Sequence, residues 1–175
     1  MALLRRHRDD DAALGAHRYR MRERLISIGD DYWIDDEEDR HTFKVNGKAL
    51  RFRDTFVLED PEGRELAKIQ ERKLSIRDKM EIERDGAPGA TVHKNLIGFR
   101  DRFKVDVDGG PDLEAKGNIV DHEYEIERDG TPVAVVSKRW FAVRDTYGVE
   151  VAPGEDDALV LAITVCIDAM SHPGG

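Results

Sequence analysis

The sequence predicts a mainly β protein: a closed antiparallel barrel of about twelve short strands around one central hydrophobic helix near the C-terminus. Three observations lead there. One eight-residue pattern recurs five times at nearly constant spacing, each of the first four copies runs into a Gly- or Pro-containing turn or its equivalent, and a single long apolar run stands out in a chain that is 37% charged.

The pattern is apolar-Arg-Asp-x-apolar-x-apolar-acid. It reads Phe52 to Glu59, Ile76 to Glu83, Phe99 to Asp106 and Val143 to Glu150, with a worn copy from Val120 to Glu127. The starts at 52, 76, 99, 120 and 143 give steps of 24, 23, 21 and 23 residues, a period that marks a repeated structural unit. Within each copy apolar residues alternate with polar ones, the period of a half-buried strand. Turns follow at Asp60-Pro61-Glu62-Gly63, Asp85-Gly86-Ala87-Pro88, Asp108-Gly109-Gly110-Pro111 and Asp129-Gly130-Thr131-Pro132, where Gly supplies positive φ and Pro ends pairing. A second strand comes next, as in Glu65 to Ile69 and Pro132 to Val136, so one repeat is one β-hairpin.

Ahead of the repeats, residues 1 to 18 lack a trustworthy period and are expected to be a flexible N-terminal arm, basic where the body is acidic. Arg24 to Ile28 reads as a strand, Gly29-Asp30-Asp31 as a turn, and Tyr32-Trp33-Ile34 as the next strand. Asp35 to Asp39 lacks the glycine and terminal Glu of a calcium loop and reads as a solvated turn. Asn46-Gly47 is a hairpin-turn signal. The barrel domain is expected over residues 19 to 171, with 172 to 175 as a tail.

Ten to twelve such strands fit a closed barrel or a large sandwich, and closure removes exposed edges. The segment from Ala158 to Met170 bears on the choice, because its only polar members are Thr164 and Asp168. It is too short to span a bilayer. Its β-branched content suits a strand, but its length suits a helix over about residues 156 to 170, started by Asp156 and Asp157. A helix apolar on every side must be surrounded, and a twelve-strand barrel has an interior that needs filling.

At 175 residues the chain makes one domain. Its 28 basic against 37 acidic residues give a net charge of -9, which disfavours nucleic acid as a partner. The one cysteine, Cys166, excludes an internal disulfide and a cysteine-based zinc cage, and with no signal-peptide run in view the expected location is the cytoplasm.

Strand hairpins followed by one apolar helix resemble the LURP-one-related (LOR) family, of the tubby C-terminal-like and phospholipid scramblase-like superfamily. The residues that carry the likeness are Leu25 to Asp30, Val45-Asn46-Gly47-Lys48, Asp60 with Gly63 and Glu65-Leu66-Ala67, Ser137-Lys138-Arg139-Trp140 with Asp145-Thr146-Tyr147, and Ile167-Asp168. The likeness covers Tyr19 to about Met170 and implies a tubby-like barrel. It implies no established reaction. Tubby proteins bind phosphoinositide headgroups and scramblases sit in membranes, but the lipid-contact residues of the former have no local match in this chain.

In an up-and-down meander alternate connections lie at opposite ends, so hairpin turns and inter-repeat links form two different rims. The hairpin rim, with Asp60, Glu62, Asp85, Asp108, Asp112 and Asp129, is expected to be acidic. The other gathers Arg72, Lys73, Lys94, Arg100, Lys138 and Arg139, together with Arg77, Arg102, Lys116 and Arg144, which could hold phosphate. The expected function is therefore non-enzymatic binding of anionic phospholipid headgroups, or another phosphate-bearing ligand, at a basic rim, peripheral to a membrane. The alternative is a structural or protein-protein interaction module.

No cofactor, metal site or catalytic residue is expected. His41, His93 and His122 have no nucleophile or metal spacing around them, and Asp121-His122-Glu123, read as consecutive strand residues, alternates faces and cannot converge on one ion. Trp33, Trp140 and Tyr147 read as packing residues, although Trp140 beside two cations also suits a membrane interface. Cys166 reads as a small buried hydrophobe. Asp168, a carboxylate in an apolar run, needs partners, and backbone amides or an arginine are expected.

Overall fold

The computed structural model describes residues 15–23, 31–50, 53–72, 79–97 and 100–171. The expected arm up to residue 14, the strand at 24–28 with its following turn at 29–30, the pair Arg77-Asp78, and the tail lie outside these.

Twelve strands alternate in direction around a closed ring. They are β1 (His17–Arg22), β2 (Asp31–Asp36), β3 (His41–Leu50), β4 (Arg53–Glu59), β5 (Glu65–Glu71), β6 (Lys79–Glu83), β7 (Ala90–Ile97), β8 (Arg100–Val107), β9 (Leu113–Asn118), β10 (Glu123–Arg128), β11 (Thr131–Ser137) and β12 (Thr146–Val151). Each pairs antiparallel with its sequence neighbours, and β12 returns to β1 to close the barrel, with Tyr19 opposite Val149.

The repeat marks the register of this ring. Arg53 and Arg100 open β4 and β8, and Arg144-Asp145 and residues 77–78 immediately precede β12 and β6. Each even strand from β4 to β10 pairs with the odd strand after it to make one hairpin. The last copy, β12, has no following strand and takes β1 as its partner instead, which is how the ring closes without an edge.

One helix, α1 (Asp157–Ser171), runs through the middle. Leu159 to Asp168 and Met170 are all buried, surrounded by the inward rows of the strands, among them Ile69, Ile82, Phe103, Val105, Ile126 and Val149. Length thus prevails over the β-branched content, because a helix closes its own backbone hydrogen bonds where no strand edge is available. Asp156 stands just before it, its carboxylate accepting from the Leu159 amide at 3.1 Å.

One local expectation fails. Asn46-Gly47 is not a turn but lies inside β3, with Gly47 opposite Phe56 of β4. The buried aromatic faces a residue with no side chain, and strand pairing on both sides of β3 overrides the local turn preference. The run Asp35 to Asp39 does turn: β2 ends at Asp36, whose carboxylate accepts from the amides of Glu38 and Arg40, both at 3.0 Å.

Candidate functional site

The two ends of the barrel are built differently. The turns β2–β3, β4–β5, β6–β7, β8–β9 and β10–β11 share one end with the start of α1, and Asp60, Glu62, Asp85, Asp108, Asp112 and Asp129 all fall in them. The links β9–β10 and β11–β12 lie at the other end, as do Glu23 after β1 and Arg72 after β5.

The sequence-predicted cations of this link rim fall as follows. Arg72 pairs with Glu81 across β5 and β6. Lys138 Nζ lies 2.9 Å from Glu23, and Arg139, whose side chain is 84% exposed, has its Nε 3.9 Å from Glu123. Lys94 is half-buried in β7, opposite Phe103. Arg100 opens β8, its side chain outside the described residues, as is Lys73 altogether. On the outer wall Lys116 meets Glu127 at 2.6 Å and Arg102 meets Glu114 at 3.4 Å. Arg72, Lys138 and Arg139 thus each stand beside a carboxylate, so these described cations of the rim are paired rather than bare.

Two neighbouring links form its most built part. Ser137 caps a 3-10 turn, Lys138–Trp140, by accepting from the Arg139 amide at 3.2 Å. Glu123, at the start of β10, accepts from the Ser137 hydroxyl and the Lys138 amide, both at 3.0 Å, and so ties the β11–β12 link to the β9–β10 link. The chain then folds Trp140 and Phe141 flat against β12. A Cβ on Gly148 would stand 2.7 Å from the Trp140 ring and 3.0 Å from that of Phe141, so only glycine lets both rings lie there. The guanidinium groups of Arg18 and Arg20 cover these rings, at 5.0 and 5.8 Å from their centroids. Trp140 is therefore a packing residue on the outer wall, not a side chain projecting from the rim.

What does project is apolar and basic together. Among the described residues the exposed large hydrophobic side chains are Val120, 57% exposed in the β9–β10 link, and Val143, 49% exposed in the β11–β12 link. Arg144 is exposed beside Val143, and Arg139 stands on the same link.

Beneath this surface the barrel interior holds a buried polar cluster. Asp168, in the last turns of α1, accepts a hydrogen bond from the Tyr147 hydroxyl, and its other oxygen lies 3.2 Å from His122 Nε2. The imidazole stacks on the Tyr147 ring at 4.2 Å between centroids. Burial, and then the nearby Asp168 carboxylate, push the phenols of Tyr147, Tyr124 and Tyr32 well above the ordinary tyrosine value, so all three keep their protons. The expected amide or arginine partners of Asp168 are thus replaced by a phenol and an imidazole. The cause is position: α1 continues to Ser171, so the amides near Asp168 serve the helix ladder, and the strand starts that face it carry tyrosines.

His122 explains why this cluster was not visible in the sequence. It lies not in a strand but in the turn before β10, with φ of 54°, a left-handed conformation that turns its ring into the barrel. Asp121 stays outside, bonded to Asn118 Nδ2 at 2.6 Å, and Glu123 serves the 3-10 turn. The three do not converge, as expected, but a turn rather than strand alternation separates them. His93 and His41 are accounted for on the outer wall, the former 2.8 Å from Asp106 and the latter stacked on Trp33 at 4.6 Å. Cys166 is fully buried in α1, and burial raises its thiol far out of the reactive range.

Among the described residues no group of three or more His, Cys, Asp or Glu side chains is placed to hold a metal ion. Among them, too, no helix is long and apolar enough to cross a membrane. A groove of about 340 Å³ runs over β8 and β9, but Arg102 and Lys104 within it already face Glu114 and Asp112.

The comparisons with known proteins agree with this architecture. No curated protein matches the chain. A solved structure of a protein from Arabidopsis thaliana superposes with a TM-score of 0.67 at 17% sequence identity, covering 90% of this chain and 92% of that one, which establishes the shared fold. The family model described as LURP-one-related matches residues 17–168, from the first residue of β1 to the buried carboxylate of α1. With a barrel that resembles those of tubby-like proteins, closed by β1 and filled by α1 over that whole span, the chain belongs to the LURP-one-related family.

Proposed function

We propose that the protein is a non-catalytic domain that binds the surface of an anionic membrane, taking phospholipid headgroups at its link rim. The observation that carries this reading is the coincidence of Val120, Val143, Arg139 and Arg144 on two adjacent links at one end of the barrel. An exposed aliphatic side chain gains by entering the headgroup boundary, and an arginine beside it meets lipid phosphate with a bidentate bond. A soluble phosphate compound would satisfy the arginines but leave both valines in water, so the membrane is the better source of the same chemistry. Of the other candidates, Arg72 and Lys138 add positive charge at the same end, offset by Glu81 and Glu23, and Arg100 opens β8 there; Lys94 is half-buried in β7, and Lys73 lies outside the described residues. Modest, salt-sensitive binding is therefore expected. A non-catalytic role is favoured because, among the described residues, the histidine that meets a carboxylate inside the barrel, His122, is 2% exposed and buried away from a substrate.

Co-sedimentation with vesicles tests it. Vesicles containing phosphatidylserine or a phosphoinositide should retain the protein at low salt, and neutral phosphatidylcholine vesicles should not. A basic residue near an anionic surface contributes about 1 kcal/mol, so Arg139→Glu with Arg144→Glu should weaken retention by at least tenfold. Val120→Asn and Val143→Asn, which remove the aliphatic side chains without changing the charge, should weaken it independently of salt. Failure to bind any anionic vesicle at low salt refutes the reading. Binding of free inositol phosphates as tightly as vesicles would move the ligand into solution, and a stable oligomer or protein complex without lipid binding would favour an interaction module.

A further inference from the structure

Tyr32, Tyr124 and Tyr147 are each the second residue of an even strand, β2, β10 and β12, and all three are buried at the link end. On α1 the polar residues Thr164, Asp168 and Ser171 follow at i, i+4 and i+7, the spacing of one helix face, in a helix that is apolar after its first residue. Phenols and helix face meet: Tyr147 donates to Asp168, Tyr124 lies beside Thr164, and the Asp168 carboxylate acts on the phenol of Tyr32. Yet the Tyr32 and Tyr124 hydroxyls are buried with no hydrogen-bond partner among the described groups. The Thr164 hydroxyl does not serve them, since it donates to the Val160 carbonyl of its own helix at 2.9 Å. A buried hydroxyl left without a partner is costly, and native interiors ordinarily supply one.

We propose that this helix face is an internal binding site for one water molecule, held by the Tyr32 and Tyr124 hydroxyls and the Asp168 carboxylate. Three bonds is the ordinary complement of a buried water, about one of which occurs per 27 residues of a globular protein. The partners select the guest. Both phenols are deeply buried and keep their protons, so they donate, while a carboxylate only accepts and has capacity for about four bonds. Water accepts from two phenols and donates to a carboxylate at once. A small cation would leave the phenol protons without an acceptor, and Asp168 repels an anion.

The site lies where the backbone ladder is shortest. Strand β1 pairs with β12 from His17 to Arg22, but with β2 only at Tyr19–Asp36 and Arg20–Asp35. Tyr32 stands on β2 beyond the last of these pairs, toward the link end, and Tyr147 stands opposite Met21 on the other side of β1. With Asp168 bonded to Tyr147 directly and to Tyr32 through water, α1 ties β12 to β2 across the strand between them. The role holds whether or not the rim meets a membrane.

Tyr32→Phe tests the site, because it removes one hydroxyl and nearly nothing else. The sign of its effect is diagnostic. Loss of a hydroxyl bridged by water should lower the urea midpoint by about 0.5 M, whereas loss of a bare buried hydroxyl leaves the midpoint unchanged or raises it. Oxygen-17 relaxation dispersion of the solvent should also count one long-lived water fewer in Tyr32→Phe than in the wild type. A midpoint that does not fall, or a water count that does not change, overturns the proposal. Replacing sodium chloride by ammonium chloride at equal ionic strength should leave the difference between the two proteins as it was, and a wild-type midpoint that follows ammonium overturns water in favour of a small cation. Should Tyr32→Phe not fold, diffraction from crystals of the wild type decides. Solvent density about 3 Å from Tyr32 Oη supports the site, and a hydroxyl surrounded by apolar atoms alone overturns it.

Discussion

The two ends of α1 solve the same anchoring problem by opposite means. At the hairpin end the helix start is held by charges in partial contact with solvent: Arg84 on Asp156 at 2.6 Å, and Arg128 on both oxygens of Glu155 at 2.8 and 2.9 Å. Tyr19 and His17 both reach Asp157 there, His17 at 2.7 Å with 65% of its side chain exposed. At the link end the helix is held by Asp168 in a buried cluster of phenol and imidazole. Exposed pairs are individually weak and replaceable, whereas a buried polar cluster contributes little until it is broken and then costs much. The hairpin end can therefore vary residue by residue, and the link end behaves as a unit. It is also the link end that carries the exposed valines.

The sharpest way to break this contrast is Asp168→Ala. It removes the acceptor of Tyr147 and the neighbour of His122 inside the barrel, and should cost about 3 to 5 kcal/mol in urea unfolding. Arg128→Ala at the other end should cost no more than about 1 kcal/mol. Similar losses at both ends would erase the distinction. Next in size is Gly148→Ala, which forces Trp140 and Phe141 off β12 and should cost about 1 to 3 kcal/mol with a red shift of tryptophan emission. An unchanged emission spectrum would mean that the rings do not depend on that glycine. Smaller again is Asp156→Ala, which removes the acceptor of the Leu159 amide and the partner of Arg84, for about 1 kcal/mol.

How much of each end could be read in advance follows from the same contrast. The hairpin end repeats, and repetition is visible: its Gly and Pro turns recur at a steady interval, and with the Arg-Asp marks at the opposite, starting ends of the strands and the apolar run they require strands around a helix. The link end is made of single events. His122 enters the barrel only because one residue of a turn adopts positive φ, and a histidine in a short polar stretch gives no period that announces it. Gly148 would read as a flaw in β12 until Trp140 and Phe141 are seen lying on it. Asp168 was conspicuous as a carboxylate in an apolar run, but its partners come from residues 122 and 147, distant in sequence and joined only by the closed ring. Strand counting puts Arg72, Lys138 and Arg139 toward one end, yet their pairing with Glu81, Glu23 and Glu123 depends on side-chain reach, which alternation does not encode.

The hairpin end also holds a repeated turn, and it supplies the mildest test. Asp36 to Arg40 and Asp60 to Arg64 make the same turn: each leading aspartate accepts two amides, two and four residues on, and the closing arginine Nε returns to its second oxygen at 2.7 and 2.8 Å. Asp39 takes a positive φ of 59° where the second turn uses Gly63 at 82°. The Arg64 amide first, then its guanidinium, holds the Asp60 carboxyl below the usual carboxylate range. A carboxylate depressed in the folded state stabilises the fold above its ordinary range near pH 4, and that contribution is lost as pH falls through the folded value. Asp60→Asn keeps an oxygen for the two amides and loses only the charge. Its urea midpoint should lie slightly below that of the wild type at neutral pH and meet it in strong acid. Arg64→Ala keeps the amide, the larger cause, and should remove only the smaller, guanidinium share of the same pH-dependent difference. A gap that persisted at low pH would show that the turn depends on shape rather than charge, and the hairpin end would then resemble the buried end more than its exposed ion pairs imply.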